Sequence, residues 1–162
     1  MFKVGIITSS DKGSKGKRED LSGKVIKEIV EHKGYIISKY IVLPDDEDEL
    51  AREMIKMSDD LKLDLILTTG GTGFSKRDVT PEATRKIITK LTPGISEAIR
   101  YHSLSITKRA MLSRAISGIR KETLIVNLPG SPKAVRESLD YIIDVLDHGL
   151  QILKNKTNEC AR

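Results

Sequence analysis

The segment from Leu63 to Thr69 is strongly apolar and β-branched, and it runs straight into Gly70-Gly71-Thr72-Gly73. A buried strand that stops on a glycine turn restricts the chain more than any other feature. It asks for cover on both faces and for a tight reversal at its carboxyl end. The rest of the chain supplies that cover by alternating strand and helix signals. The polar stretch Ser9 to Glu19, with Gly13 and Gly16, reads as a loop, and Phe2 to Thr8 and Tyr35 to Leu43 read as strands. Leu21, Val25, Ile26, Ile29 and Val30 share one helical face between them, and Gly34 is placed to end that helix. Leu50, Met54, Met57 and Leu61 give a second helical stripe, opened by Asp46 with Glu49 three residues on. Thr80-Pro81, Thr92-Pro93 and Ser131-Pro132 each place a capping hydroxyl before a proline, so each predicts a helix start. Ala115–Arg120 and Thr123–Leu128 flank Lys121-Glu122 as two strands of a hairpin. The expected fold is α/β, a three-layer sandwich with a mainly parallel sheet, helices on both faces and one antiparallel hairpin. Residues 1–154 are expected to form one domain and residues 155–162 a C-terminal tail.

Composition narrows the function classes. A chain of 162 residues can bury a core without a disulfide or metal staple. The single cysteine, Cys160, cannot form an internal disulfide or a cysteine-based zinc site. No apolar run reaches a membrane-spanning length, and residues 1 to 8 read as a strand rather than a signal segment. A reducing cytosol is the expected compartment. The net charge of +5 suggests an anionic partner. Aromatics at 4% argue against a single-strand nucleic-acid binder, which needs a row of stacking rings. A small phosphorylated ligand satisfies the charge.

Ligands of an open α/β sheet sit beyond the carboxyl ends of its strands. Four loops fall there: Ser9-Ser10-Asp11, Pro44-Asp45-Asp46, Gly70 to Thr80, and Asn127 to Ser131. Gly70, Gly71 and Gly73 let backbone N–H groups approach a phosphate. Lys76 and Arg77 offer cationic donors to a polyphosphate, and Lys133 stands one turn inside the last helix. Asp78 is a natural ligand for Mg²⁺ beside a phosphate loop. Thr80 is expected to cap the following helix, which frees Asp78 from that role. In the run Asp45-Asp46-Glu47-Asp48, Asp45 stands at the strand tip and the other three suit a helix start. His32, His102 and His148 fall at no metal-ligand spacing.

Thr-Thr-Gly-Gly-Thr-Gly at 68–73, Arg-Asp-Val-Thr-Pro-Glu-Ala at 77–83 and Asn-Leu-Pro-Gly-Ser-Pro-Lys-Ala at 127–134 carry a resemblance. With Ser10-Asp11 and Leu43-Pro44-Asp45, they make the chain similar to the molybdopterin adenylyltransferase family. This is the MogA/MoaB group, which also supplies one domain of gephyrin. Within the group the chain resembles the adenylyltransferase branch more than the MoaB branch. The resemblance implies Mg²⁺-dependent transfer of AMP from ATP to the terminal phosphate of molybdopterin, with release of pyrophosphate. It implies Asp78 as the catalytic residue and Asp45 as a pterin or metal residue, both near Mg²⁺. Gly70, Gly71, Thr72, Gly73, Lys76 and Arg77 are the expected nucleotide site. Ser10, Asp11, Asn127, Pro129, Gly130 and Ser131 are expected to bind the pterin substrate. It further implies a homo-oligomer, a trimer before a hexamer, and a metal-insertion enzyme as partner. A carrier or scaffold that holds molybdopterin without turnover is the alternative.

Overall fold

The computed structural model describes residues 1–155, so Cys160 and most of the expected tail lie outside the described residues. Strand β1 (Lys3–Ser9) leads through a short helix α1 (Asp11–Ser14) to α2 (Leu21–His32) and the edge strand β2 (Ile36–Leu43). Helix α3 (Glu47–Ile55) returns the chain to β3 (Leu65–Thr69). Then come α4 (Thr80–Ile87), β4 (Lys90–Leu91), α5 (Pro93–Leu104), β5 (Ser117–Arg120), β6 (Thr123–Leu128) and α6 (Pro132–Leu153). One sheet carries all six strands in the order β2-β1-β3-β6-β5-β4. The first four of these run parallel, β5 is antiparallel to β6, and β4 is antiparallel to β5. The expected α/β sandwich and its hairpin are both present. Lys121 closes the hairpin at φ 53, so a non-glycine residue takes the left-handed position. The chain leaves β1 toward one edge and returns to β3 on the other side, which makes the β1/β3 boundary the topological switch point.

Successive strand residues point to opposite faces, so each central strand feeds two cores. Val4, Ile6, Leu65, Leu67 and Val126 pack with Ile26 and Val30 of α2, Ile99 of α5, and Leu139 and Leu146 of α6. Ile7, Ile66 and Ile125 pack on the other face with Leu50 and Met54 of α3 and Ala83 and Ile87 of α4.

Three local expectations are corrected. Leu61 is not part of the buried stripe and is 40% exposed. A π-helical turn at Lys56–Asp60, closed by the Leu61 N–H donating to the Lys56 carbonyl at 3.0 Å, adds a residue to the helical repeat. Leu63 fills the core instead. The polar segment 9–19 is not all loop, because Ser10 caps α1 by accepting from the Gly13 N–H at 2.9 Å. Neither Thr80 nor Thr92 caps its helix through the hydroxyl. The Thr80 hydroxyl donates instead to the Gly70 carbonyl at 2.9 Å, because the glycine turn brings that acceptor within reach. Asp46 and Ser131 do cap, accepting from the Glu49 and Ala134 N–H groups.

Candidate active site

The carboxyl ends of β1 and β3 open into a cleft of about 630 Å³. Its walls include Ser9, Ser10, Asp45, Gly70, Gly71, Asp78, Gly130 and Ser131. Four separate strand-end loops therefore meet at the switch point. Hydroxyl bonds hold them in register. The Ser22 hydroxyl donates to the Gly130 carbonyl at 2.7 Å, and the Thr69 hydroxyl donates to the Pro129 carbonyl at 2.6 Å.

The glycine loop is shaped by two consecutive left-handed residues, Gly70 at φ 87 and Gly71 at φ 67. Side chains rarely adopt such angles, and successive backbone N–H groups in a turn of this kind can form an anion-binding concavity. The Thr80 N–H donates to the Gly71 carbonyl at 3.1 Å, which ties the glycine turn to the start of α4.

Asp78 lies in this cleft beside the loop. Its Oδ2 accepts from the Ser75 N–H at 2.9 Å, and a Cβ on Gly73 would stand 2.9 Å from the same oxygen. Asp45 also faces the cleft, apart from its three acidic neighbours. Its Oδ1 accepts from the Ser9 hydroxyl at 2.6 Å and its Oδ2 from the Asp11 N–H at 3.0 Å. Asp48 points elsewhere, onto Lys86 at 2.8 Å.

Asp11 returns the bond, accepting from the Asp45 N–H at 3.0 Å, and also takes a bidentate pair from Arg77 at 2.9 and 3.0 Å. The Arg77 guanidinium, with the Asp45 N–H behind it, holds the Asp11 carboxyl at about 2 instead of 3.8. A depressed carboxylate stabilises the fold above the ordinary pKa, and that contribution disappears as pH falls toward the folded value. The window is therefore about pH 4 down to about 2. In Arg77→Ala the Asp11 carboxyl should titrate nearer 3.8, and a carbon-detected NMR titration checks it. A midpoint still near 2 would assign the depression to the backbone alone.

The expected site is thus brought together in part. Ser10, Asp45, Gly70, Gly71, Asp78, Gly130 and Ser131 line the cleft, whereas Asp11 and Arg77 form a strap beside it. Lys76 is exposed and outside the lining, and Lys133 is exposed beside Glu137. Asn127 is a correction, since it is fully buried away from the cleft. Its amide donates to the Thr68 and Thr84 hydroxyls at 2.9 Å, and its Oδ1 accepts from the Ile116 N–H at 3.2 Å. A buried amide with these partners joins β3, α4 and the approach to β5 as a strut. Thr72, Gly73 and Pro129 line a second cavity of about 270 Å³ on the other side of the glycine loop. Ile99, Ala110 and Leu112 make that cavity chiefly apolar.

Sequence reasoning missed four participants. Arg18, Asp20 and Ser22 line the cleft, and among the described residues Arg18 is the lining cation. Asp20 caps α2 through the Gly23 N–H and accepts from the Thr8 hydroxyl at 2.6 Å and from the Tyr40 hydroxyl. Its capping was readable from its place before Leu21, but its side-chain partners were not. Arg114 reaches the glycine loop from a remote segment and carried no sequence signal.

No helix among the described residues is long and apolar enough to cross a membrane. No group of three or more His, Cys, Asp or Glu side chains there could hold a metal ion. Residues 5–148 match the family described as a probable molybdopterin binding domain. The molybdopterin adenylyltransferase of Helicobacter pylori (strain J99) is 41% identical over 154 residues, covering 93% of this chain and 86% of that protein. The Escherichia coli (strain K12) molybdopterin adenylyltransferase is 34% identical over 161 residues, covering 92% and 80%. Among solved structures, the molybdopterin biosynthesis enzyme MoaB from Thermus thermophilus superposes with a TM-score of 0.91 at 43% identity, covering 98% of this chain and 100% of that one. Overall identity does not separate the two branches of the group. The family match over residues 5–148, the 41% identity across nearly the whole chain and the shared fold place this chain in the molybdopterin adenylyltransferase family of molybdenum cofactor biosynthesis.

Proposed function

We propose that the protein transfers AMP from ATP to the terminal phosphate of molybdopterin and releases pyrophosphate. The observation that carries this reading is the pair of cavities lined by successive residues of one glycine loop, with Asp78 in the more polar of the two. Two substrates that each join a ring system to phosphate need such a division. The more polar cleft takes the phosphates, and the apolar cavity takes a ring. A phosphate oxygen of molybdopterin attacks the α-phosphorus of ATP. The bond from that phosphorus to the oxygen bridging to the β-phosphate breaks, and pyrophosphate leaves with the electron pair. The nucleophile is already ionised at neutral pH, so no histidine base is needed. The protein's share is positioning and charge neutralisation. Backbone N–H groups of Gly70 to Gly73 and the Arg18 guanidinium face the phosphate charge.

The donor set fits Mg²⁺, which takes one or two carboxylates and completes its shell with phosphate oxygens and water. Asp78, with one oxygen uncommitted by its Ser75 bond, and Asp45 would hold it. When bound, Mg²⁺ supplies positive charge to the phosphates. The same proposal includes a reducing cytosol, a metal-insertion partner and a homo-oligomer, trimeric before hexameric. The exposed Tyr101, Leu104, Ile106, Met111 and Leu112 supply apolar surface for self-association.

Purified protein incubated with ATP, Mg²⁺ and molybdopterin should form the adenylylated pterin and pyrophosphate in equal amounts. Molybdopterin bound without turnover would return the carrier reading, and ATP consumed without adduct would make the protein a hydrolase. A matched pair of variants separates the two acids after β2. Asp45→Ala should weaken molybdopterin binding or raise the Mg²⁺ requirement by about tenfold, the scale of one charge-assisted contact. Asp48→Ala should do neither and should leave stability nearly unchanged, because its ion pair with Lys86 is exposed to solvent. Equal behaviour of the two in pterin binding would remove Asp45 from the site.

A further inference from the structure

Arg114 lies on the extended segment before β5, thirty-six residues from Asp78, yet it touches both halves of the candidate site. Its backbone N–H donates to the Thr72 carbonyl at 2.9 Å. Its Nε donates to the Gly73 carbonyl at 2.7 Å and its Nη2 to the Asp78 carbonyl at 2.8 Å. Nη1 is paired with Glu82 on the first turn of α4. One guanidinium therefore joins the end of the glycine loop, the Asp78 residue and the helix that follows it. The segment bearing it is itself held, because Arg100 of α5 donates to the Ala115 carbonyl at 2.7 Å.

We propose that Arg114 is a positioning residue that sets the Asp78 carboxylate against the glycine loop. The inference rests on the adenylyl-transfer reading for its kinetic consequence but not for its geometry. The loop 70–78 contains no regular secondary structure; its own bonds close the 75–78 turn, with the Asp78 N–H donating to the Ser75 carbonyl at 3.0 Å and the Ser75 N–H to the Asp78 carboxylate, whereas the bond that reaches the Gly73 carbonyl comes from Arg114. A planar cation with a fixed fork of donors can hold two carbonyls at a set separation, and lysine cannot copy that fork. Lost alignment at a reacting centre costs rate steeply even when binding survives.

The test compares Arg114→Gln, Arg114→Lys, Asp78→Asn and the Arg114→Gln/Asp78→Asn double variant. Arg114→Gln should lower kcat by roughly a hundredfold while KM for ATP changes by less than about fivefold. Arg114→Lys should recover little of it. The double variant should be no slower than Asp78→Asn, since Arg114 acts through Asp78. Losses that multiply would overturn the proposal and make Arg114 an independent support of the fold. Hydrogen exchange provides a readout that needs no turnover: amides 70–78 should exchange faster in Arg114→Gln while those of β3 and β6 do not. Unchanged loop exchange overturns the positioning role. Faster loop exchange in a protein whose wild type forms no adenylylated pterin would sink the reaction and leave the positioning role standing.

Discussion

Asp78→Asn should abolish most adenylylation and leave the fold intact. The amide oxygen of asparagine can still accept from the Ser75 N–H, and the bond from Arg114 goes to the main-chain carbonyl, which the change does not alter. What disappears is one negative charge in the cleft. Losing one charge-stabilising group at a reacting centre costs on the order of a hundred- to a thousandfold in kcat. The thermal midpoint should stay near that of the wild type. Rates and midpoint measured on the same preparation decide the matter: turnover within about tenfold of wild type removes Asp78 from the chemistry, and a large fall in midpoint makes it structural.

Gly70→Ala should damage both stability and nucleotide binding. Its φ of 87 lies where a side chain is strained, and an added Cβ would fall inside contact distance of the Ser9 carbonyl oxygen. That oxygen belongs to the end of β1 and cannot swing aside as a side chain would. Strain of this kind costs about 1–3 kcal/mol before any displacement of the strand end. The displacement opens the loop, so ATP affinity should fall at least about tenfold. Gly149→Ala is the control, because it lies within α6 with open space around the new Cβ. It should stabilise the protein by about 0.5–1 kcal/mol. Denaturant unfolding and titration calorimetry on both variants check the pair. Wild-type affinity in Gly70→Ala would reduce the loop to a plain turn.

The fold was legible where one residue type has one use. The central strands carry their burial in composition, and the Ser131-Pro132 start and the Gly34 stop follow from local backbone chemistry. Asp45 and Asp78 were expected at the cleft because both stand in strand-end loops, and both line it. Thr80 shows the limit. Its hydroxyl had two uses, and the nearer acceptor was created by a turn ten residues earlier. Asn127 shows the same limit from the opposite side, since a polar residue beside a glycine loop resembles a ligand contact until its three interior partners are known. Arg77 was read as a phosphate donor, but an aspartate sixty-six residues away occupies it. Each of these outcomes depends on a contact remote in sequence, which no local pattern encodes.

The switch between β1 and β3 also sets where the protein can yield. Both strands have parallel neighbours on each side and cores on each face, so their hydrogen bonds are the most protected in the sheet. The two outer strands differ: β2 is only half-buried, and β4 is two exposed residues long. Stiffness therefore falls from the middle outward. Thermal fluctuation or drift in sequence at the far border can be absorbed without moving Ser9 against Gly70, so the glycine-loop wall of the cleft rides on the part of the molecule that opens last, while Asp45, just past the end of β2, rides on a looser strand.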